Sequence, residues 1–206
     1  MLVAAAAGYL AGTVPSADLA ARVAAERAPE GPGAAVDLRA AGSGNPGASN
    51  AIALLGPRWG YAVMAGDIAK GALACVLGGR LAGSGGAHVA GVAAVVGHCF
   101  PVWSGFRGGK GVATSVGQCA VTFPVWSVLD LGVAAAVAAS PRWKERAFSA
   151  TAVASAMWIV AGVAWWRRGW PNLWGPRPSA ALPLAAAASS GVILSRFASA
   201  RKQARP

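Results

Sequence analysis

Charge is scarce in this 206-residue chain. Only 12% of residues are Asp, Glu, Lys or Arg, about half the share usual in a soluble domain. Acid is scarcer than base: 7 Asp and Glu stand against 18 Lys and Arg, a formal net charge of +11. With 55% hydrophobic residues and a mean hydropathy of +0.49, the deficit argues against a soluble core and places the chain in the membrane class. Cysteine is also sparse. Cys75, Cys99 and Cys119 lie in apolar runs and form no CxxC pair, which argues against a disulfide framework or a zinc site. No metal and no cofactor is expected. Aromatic residues are not interleaved with the basic ones as in a nucleic-acid groove, so the positive charge is read as cytoplasmic loops and headgroup attraction, with no nucleic-acid partner. The N-terminus lacks a basic region and reads as a first membrane segment rather than a cleaved signal. No internal repeat is visible, and one domain over 1–206 is expected.

What is abundant is Ala, Val and Gly. Small residues let helices approach closely in lipid, and the 28 glycines and 13 prolines should mark kinks and irregular backbone. Seven apolar stretches are candidate spans: Leu2–Ala21, Ala51–Leu73 (running on toward Gly78), Ala87–Phe100, Gly111–Phe123, Val125–Ala139, Ala147–Trp166 and Ala180–Phe197. The third, fourth and fifth are short. The expected fold is therefore all-α, a polytopic membrane bundle of about seven transmembrane helices. An N-out/C-in arrangement puts twelve basic residues inside and four outside, with both glycine-rich loops cytoplasmic. Trp165, Trp166, Trp170 and Trp174 read as an interface belt, and Lys144-Glu145-Arg146 as a solvated turn.

Two polar loops interrupt this apolar background. In Val36–Asn50 (VDLRAAGSGNPGASN) the glycines Gly42, Gly44 and Gly47 permit backbone closed to other residues, and successive N–H groups can line an anion site. Ser43, Asn45, Ser49 and Asn50 add neutral donors, with Asn50 at a helix start, a favourable place for phosphate. GSGNPG fits GxGxxG literally, but a Rossmann unit needs a buried strand before it and a crossover helix after it. The second loop, within Val95–Thr114, holds GFRGGKG. The P-loop pattern fails here, because Ser104 stands in place of its first Gly and Gly111 follows Lys110. What remains is a flexible loop presenting Lys110, with Arg107, to an anion. Phe100-Pro101 ends the preceding helix and brings His98 out near that loop, where imidazole can accept or donate a proton. Asp67 and Lys70, spaced i, i+3 in a span, read as a structural ion pair facing the bundle interior. Asp18 and Asp130 are intramembrane acids with no partner assignable from sequence, and His88 reads as a buried structural residue.

VDLRAAGSGNPGASN and GHCFPVWSGFRGGKGVAT resemble the two signature loops of the bacterial acyl-phosphate:glycerol-3-phosphate acyltransferases, the PlsY family. GTVPSADLA and GDIAKG are weaker matches, and the likeness is carried by roughly the first 120 residues. The resemblance implies a seven-helix enzyme of the bacterial plasma membrane, with its active site cytoplasmic. It would transfer an acyl chain from acyl phosphate to the 1-hydroxyl of glycerol 3-phosphate, giving lysophosphatidate and phosphate at the start of phospholipid synthesis. It implies Ser43, His98 and Lys110 as catalytic residues. Substrate binding would fall to Gly42, Gly44, Asn45, Asn50, Gly108, Gly109, Gly111 and Thr114. Acyl phosphate is already activated, so no nucleophilic Ser or Cys is needed, and the base is either His98 or a substrate phosphate oxygen. Two departures stand out. Ala53 occupies the place of a family basic residue, and Arg196 and Ser199 stand where a third signature has His and Asn. Arg196 is accordingly assigned to anion binding. The alternative is a catalytically impaired paralogue that binds phospholipid precursors as a membrane scaffold or regulator.

Overall fold

The computed structural model describes residues 1–28, 33–139 and 146–203. Among them every regular element is helical: α1 (Leu2–Gly12), α2 (Ser16–Glu26), α3 (Ala48–Leu55), α4 (Pro57–Cys99), α5 (Val112–Thr122), α6 (Pro124–Ala139), α7 (Arg146–Arg168) and α8 (Ala181–Gln203), with a 3-10 turn at Val102–Ser104. Each of the seven apolar stretches is mainly helical, but the first is broken at Thr13–Pro15 and the second at Gly56. Among the described residues four stretches are long and apolar enough to cross a bilayer: Leu2–Glu26 and Pro57–Ser104, each interrupted by non-helical backbone, and Arg146–Arg168 and Ala181–Arg201.

The breaks follow from local chemistry. Pro15 cannot continue α1 and becomes the N-cap of α2. Pro57 sits in the first turn of α4, where its missing N–H costs nothing. The 43 residues of α4 would reach about 65 Å if straight, twice the hydrocarbon core. The chain instead reverses at Ala82 and Gly83, whose φ/ψ are non-helical, with Gly83 at φ +63. The result is a hairpin with limbs 57–81 and 84–99. The second expected span thus runs from α3 into the first limb of this hairpin, and the third is its second limb.

Packing relies on backbone contact. A Cβ on Gly12 would overlap the backbone of Ala94, and one on Gly117 the backbone of Ile68 and Ala72. Helix α1 therefore lies flush on limb 84–99, and α5 on limb 57–81, as small-residue interfaces in lipid require. Larger side chains fill the other seams. Phe123, between α5 and α6, packs with Trp158 of α7 and Leu182 of α8, Val95, Cys99, Ile193 and Phe197 join α4 to α8, and Ala17, Leu38, Ala51 and Val63 enclose the first loop. Deep in the bundle Ser189 donates to Gln118 Oε1 at 2.7 Å, tying α8 to α5. Of the four tryptophans, Trp165 and Trp170 meet edge to face at 4.7 Å, and the indole of exposed Trp174 donates to Ala120 O. Of the expected Lys144-Glu145-Arg146 turn, Lys144 and Glu145 lie outside the described residues.

Candidate active site

The end of α4, the break between α1 and α2, and the two glycine-rich loops converge on one cavity of about 230 Å³. Its walls come from Gly12–Asp18 and Arg22, from Arg39 and Pro46 of the first loop, from Asp67 and Lys70 of α4, and from His98, Gly108 and Gly109 around the second loop. Three cations and two carboxylates line it. The loops touch directly: Arg39 Nε donates to Arg107 O at 2.8 Å, and Arg39 Nη1 donates to Asp18 Oδ1 at 2.6 Å. Asp18 thus has its partner in Arg39, from the first loop. Tyr9 and Trp103 fasten the second loop to the end of α1, through Phe100 O at 2.9 Å and Thr13 Oγ1 at 3.1 Å.

The first loop is held from inside by Asn50, which is only 5% exposed. Its Oδ1 accepts from Ser43 N–H at 2.9 Å, and its Nδ2 donates to Leu38 O and Ala41 O, each at 3.0 Å. An amide has two donors and one acceptor oxygen, so both donors are committed to the loop backbone. Gly42 and Gly44 take the left-handed conformation at φ +61 and +67, and a Cβ on Gly42 would strike Asn50 Oδ1. Ser43 and Gly44 are exposed at the turn, and Asn45 is half-buried.

The second loop also spends its amides. Gly108 N–H donates to Cys99 O and Gly109 N–H to His98 O, both at 3.1 Å. These two glycines cap the end of α4 and do not offer an anion nest. Gly109 has a second reason to lack a side chain: a Cβ there would land on the His98 imidazole beside Nε2. Gly111 turns the chain at φ +86 into α5. From α8, Arg196 donates to Gly108 O at 2.7 Å (Nη2) and Gly109 O at 3.2 Å (Nε), with its guanidinium 5.2 Å from the Phe100 ring centroid. Lys110 points to the same side, its Nζ 4.4 Å from the Phe197 ring centroid. Burial, and secondarily the Arg196 charge, hold the Lys110 pKa below the ordinary lysine value.

The sequence-derived site residues thus fall into three groups, with Thr114 outside them. His98, Gly108 and Gly109 line the cavity. Gly42, Ser43, Gly44, Asn45 and Asn50 build the turn next to Pro46, while Lys110, Gly111 and Arg196 form the α8 side of the second loop. Thr114 is fully buried where α5 crosses α4, its carbonyl against Gly71, and it lies away from the cavity lining. Ala53 is exposed on α3, and Ser199 donates to Ser195 O on α8 at 3.0 Å. Sequence reasoning undervalued Asp67 and Lys70. They form the expected pair at 2.8 Å, but they do so in the cavity wall, 3% and 7% exposed, with Asp67 Oδ1 3.5 Å from His98 Nδ1. Their signal was present, since an intramembrane ionisable residue is by default a functional candidate.

A helical bundle with long apolar spans, whose two glycine-rich loops meet beside a polar cavity, defines the class: an all-helical integral membrane protein. The model of the family described as "Glycerol-3-phosphate acyltransferase" matches residues 2–202, and the chain belongs to that family. It is 43% identical over 102 residues to a glycerol-3-phosphate acyltransferase of Thermoanaerobacter sp. (strain X514), covering 50% of this chain and 52% of that protein. It is 38% identical over 136 residues to one of Symbiobacterium thermophilum, covering 66% and 63%. The chain spans about half to two thirds of the length of the curated relatives it matches. Among solved structures, the glycerol 3-phosphate form of PlsY (YgiH), an integral membrane glycerol 3-phosphate acyltransferase, superposes with a TM-score of 0.75 at 27% identity. That match covers 98% of this chain and 90% of the other. The lysophosphatidic acid form of the same protein gives 0.73 at 25%.

Proposed function

We propose that this protein is a single-domain acyltransferase that moves an acyl chain from acyl phosphate to the 1-hydroxyl of glycerol 3-phosphate, releasing lysophosphatidate and phosphate. The observation that carries the reading is the junction of the two loops beside one cavity, sealed by Arg39 Nε on Arg107 O at 2.8 Å, in a chain matched to the family over 2–202. Both substrates and the leaving group are phosphate anions, and the cavity carries Arg22, Arg39 and Lys70 against Asp18 and Asp67. In this reading Lys110 offsets charge on the transferring phosphate and at the reacting carbonyl. Ser43 and Asn45 receive a phosphate at the exposed turn. Asn50 and Gly42 fix the shape of that turn, and Gly108, Gly109 and Gly111 fix the lysine loop. Arg196 braces that loop and adds to its positive field, and Thr114 holds α5 in place beneath it. Positioning two anions side by side supplies much of the rate. The protein works in a bacterial plasma membrane, N-out/C-in, with the cavity facing the cytoplasm and no metal or nucleotide taking part. The positive-inside bias supports that orientation.

The test is release of phosphate from synthetic acyl phosphate by the purified protein, with and without glycerol 3-phosphate. Acceptor-dependent release that disappears in Lys110→Ala supports the assignment, and absence of turnover overturns it. One observation favours the second reading, an impaired paralogue acting as a lipid-precursor-binding scaffold or regulator. Arg196, in the third-signature region, spends its guanidinium on loop carbonyls, and Ala53 supplies no cation. Binding of both substrates without turnover selects that reading.

A further inference from the structure

A second cavity, of about 320 Å³, lies along the C-terminal half of α2 and shares no lining residue with the first. That volume is within the range of small-molecule sites, about 300–1,000 Å³. One wall is an alanine face of α2, at Ala21, Ala24, Ala25 and Ala28, spaced as one side of a helix requires. The other wall is the corner where α3 gives way to α4, with Leu55 and Trp59. The chain after α2 returns across the end, where Gly33 N–H donates to Ala25 O at 3.2 Å, and it brings Val36 to the rim. The lining is apolar apart from Arg27, and among the described residues no carboxylate belongs to it. Arg27 is exposed, and among the described residues its guanidinium has no hydrogen-bond or ion-pair partner. Two spans meet at this level: Leu2–Glu26 stops one residue before Arg27, and Pro57–Ser104 begins two before Trp59. The Arg58 guanidinium lies 5.2 Å from the Trp59 ring centroid. Leu19 of α2, Ile52 of α3 and Tyr61 of α4 are all exposed, so the helices that build the cavity also present apolar side chains outward.

We propose that this cavity takes one acyl chain of an anionic membrane lipid, with the lipid phosphate against Arg27 and Arg58 at the headgroup level. The apolar lining selects the chain, and the unpaired guanidinium at its mouth selects the charge. Tryptophan beside arginine is the pairing that the membrane boundary favours. The lipid is neither donor nor acceptor of the acyl group, and the site stands without the acyltransferase reading. Its effect on the protein runs through the shared wall. Leu55 and Trp59 also pack on the cluster of Ala17, Leu38, Ala51 and Val63 that encloses the first loop. Leu38 O is one of the carbonyls held by Asn50, and the next residue, Arg39, ties that loop to Asp18 and to the second loop. A chain in the cavity completes the packing behind Leu55 and Trp59 and steadies the turn at 41–44, which Gly44 N–H closes on Ala41 O. The bound lipid is thus a brace for the first loop, and the anionic lipid content of the bilayer sets how often the brace is in place.

The probe is phosphatidylglycerol, compared with phosphatidylcholine of the same chains, added to the purified full-length protein in a neutral detergent. Native mass spectrometry counts the lipid retained. Brominated chains report contact with Trp59, one of nine tryptophans, as the quenching that is lost in Trp59→Phe. The expected result is one phosphatidylglycerol retained saturably, at least about fivefold more tightly than phosphatidylcholine, the weight of one basic residue at a lipid surface. Arg27→Gln, at an exposed position, should remove most of that preference and leave phosphatidylcholine retention unchanged. Ala24→Phe puts a ring into the cavity and should abolish retention of both. Amide exchange at 41–44 should slow when phosphatidylglycerol binds the wild type, and should not respond in Ala24→Phe. Equal retention of the two lipids, or a preference that survives Arg27→Gln, overturns the proposal, and that variant decides the matter even if Ala24→Phe does not fold. Lipid that glycerol 3-phosphate displaces sits in the first cavity and overturns it as well, as does a dimer that closes the groove and retains no lipid. Selective retention with exchange at 41–44 unchanged refutes the brace.

Discussion

Replacing Asn50 with Ala should unfasten the first loop, and the size of the effect can be worked from the bonds it removes. Three hydrogen bonds disappear, from Ser43 N–H and to Leu38 O and Ala41 O, at 2.9, 3.0 and 3.0 Å. Each contributes about 1 kcal/mol net, and a buried partner left unsatisfied costs about 1–3 kcal/mol more. Of the three, the bond to Leu38 O is wholly buried, and those at Ser43 and Ala41 are partly open to water. The total is therefore about 4–6 kcal/mol. Asn50→Asp should cost at least as much, because a carboxylate has no donor for the two carbonyls that Nδ2 now serves. Thermal unfolding of the detergent-solubilised protein reads this as a fall in Tm for both variants, with the aspartate variant no better than the alanine. Ligand binding should weaken in the same proportion, through the loss of the loop's shape. An Asn50→Ala protein with wild-type Tm and selectively lost glycerol 3-phosphate binding refutes the bracing role and makes Asn50 a direct ligand contact.

Four further outcomes follow from the same geometry. Gly109→Ala places a methyl group on the His98 ring and should lower acyl transfer at least about tenfold; Gly132→Ala, with open space around it on α6, should leave transfer unchanged and gain up to about 1 kcal/mol of helix stability. Gly117→Ala forces α5 off limb 57–81 and should destabilise by about 1–3 kcal/mol, seen as a lower Tm. Because burial and then Arg196 depress the Lys110 pKa, kcat/KM should fall on the alkaline side at a pH below the ordinary lysine value of about 10.4. A bound phosphate favours the charged amine, so the corresponding limb in kcat should lie at higher pH; coincident limbs refute a phosphate beside Lys110. Ala53→Arg, on an exposed face of α3, should leave transfer unchanged or raise it, and a large fall refutes the placement of that departure beside the substrate.

The membrane class and the helical stretches were legible because lipid imposes a single demand, long apolar runs, and this sequence meets it almost without charge. Helix ends were legible at Gly111 and Pro124, where expected spans begin and end, but the breaks at Pro15 and at Gly56-Pro57 each fall inside a span that was read as continuous. The hairpin at Ala82 and Gly83 was not, because GRLAGSGGAHVA carries glycines throughout and nothing local marks which of them reverses the chain. The two loops were recognisable as loops, but the use of their amides was not. Gly108 and Gly109 close the end of α4, and that depends on where His98 O and Cys99 O sit in space. Asp67 and Lys70 were found as a pair by their i, i+3 spacing, and their place in the cavity depends on limb 84–99 folding back to bring His98 beside them. Arg39 and Asp18, 21 positions apart, meet only because α2 turns at Pro15.

The most direct measurement is the affinity for glycerol 3-phosphate across a cycle of Ser43→Ala, Lys110→Ala and the double variant. If the serine turn and the lysine loop serve one anionic guest, each single variant should weaken binding about tenfold, or about 1.4 kcal/mol. The double variant should then lose clearly less than the product of the two. Losses that simply multiply, or one variant without effect, would mean that the two loops do not share that guest.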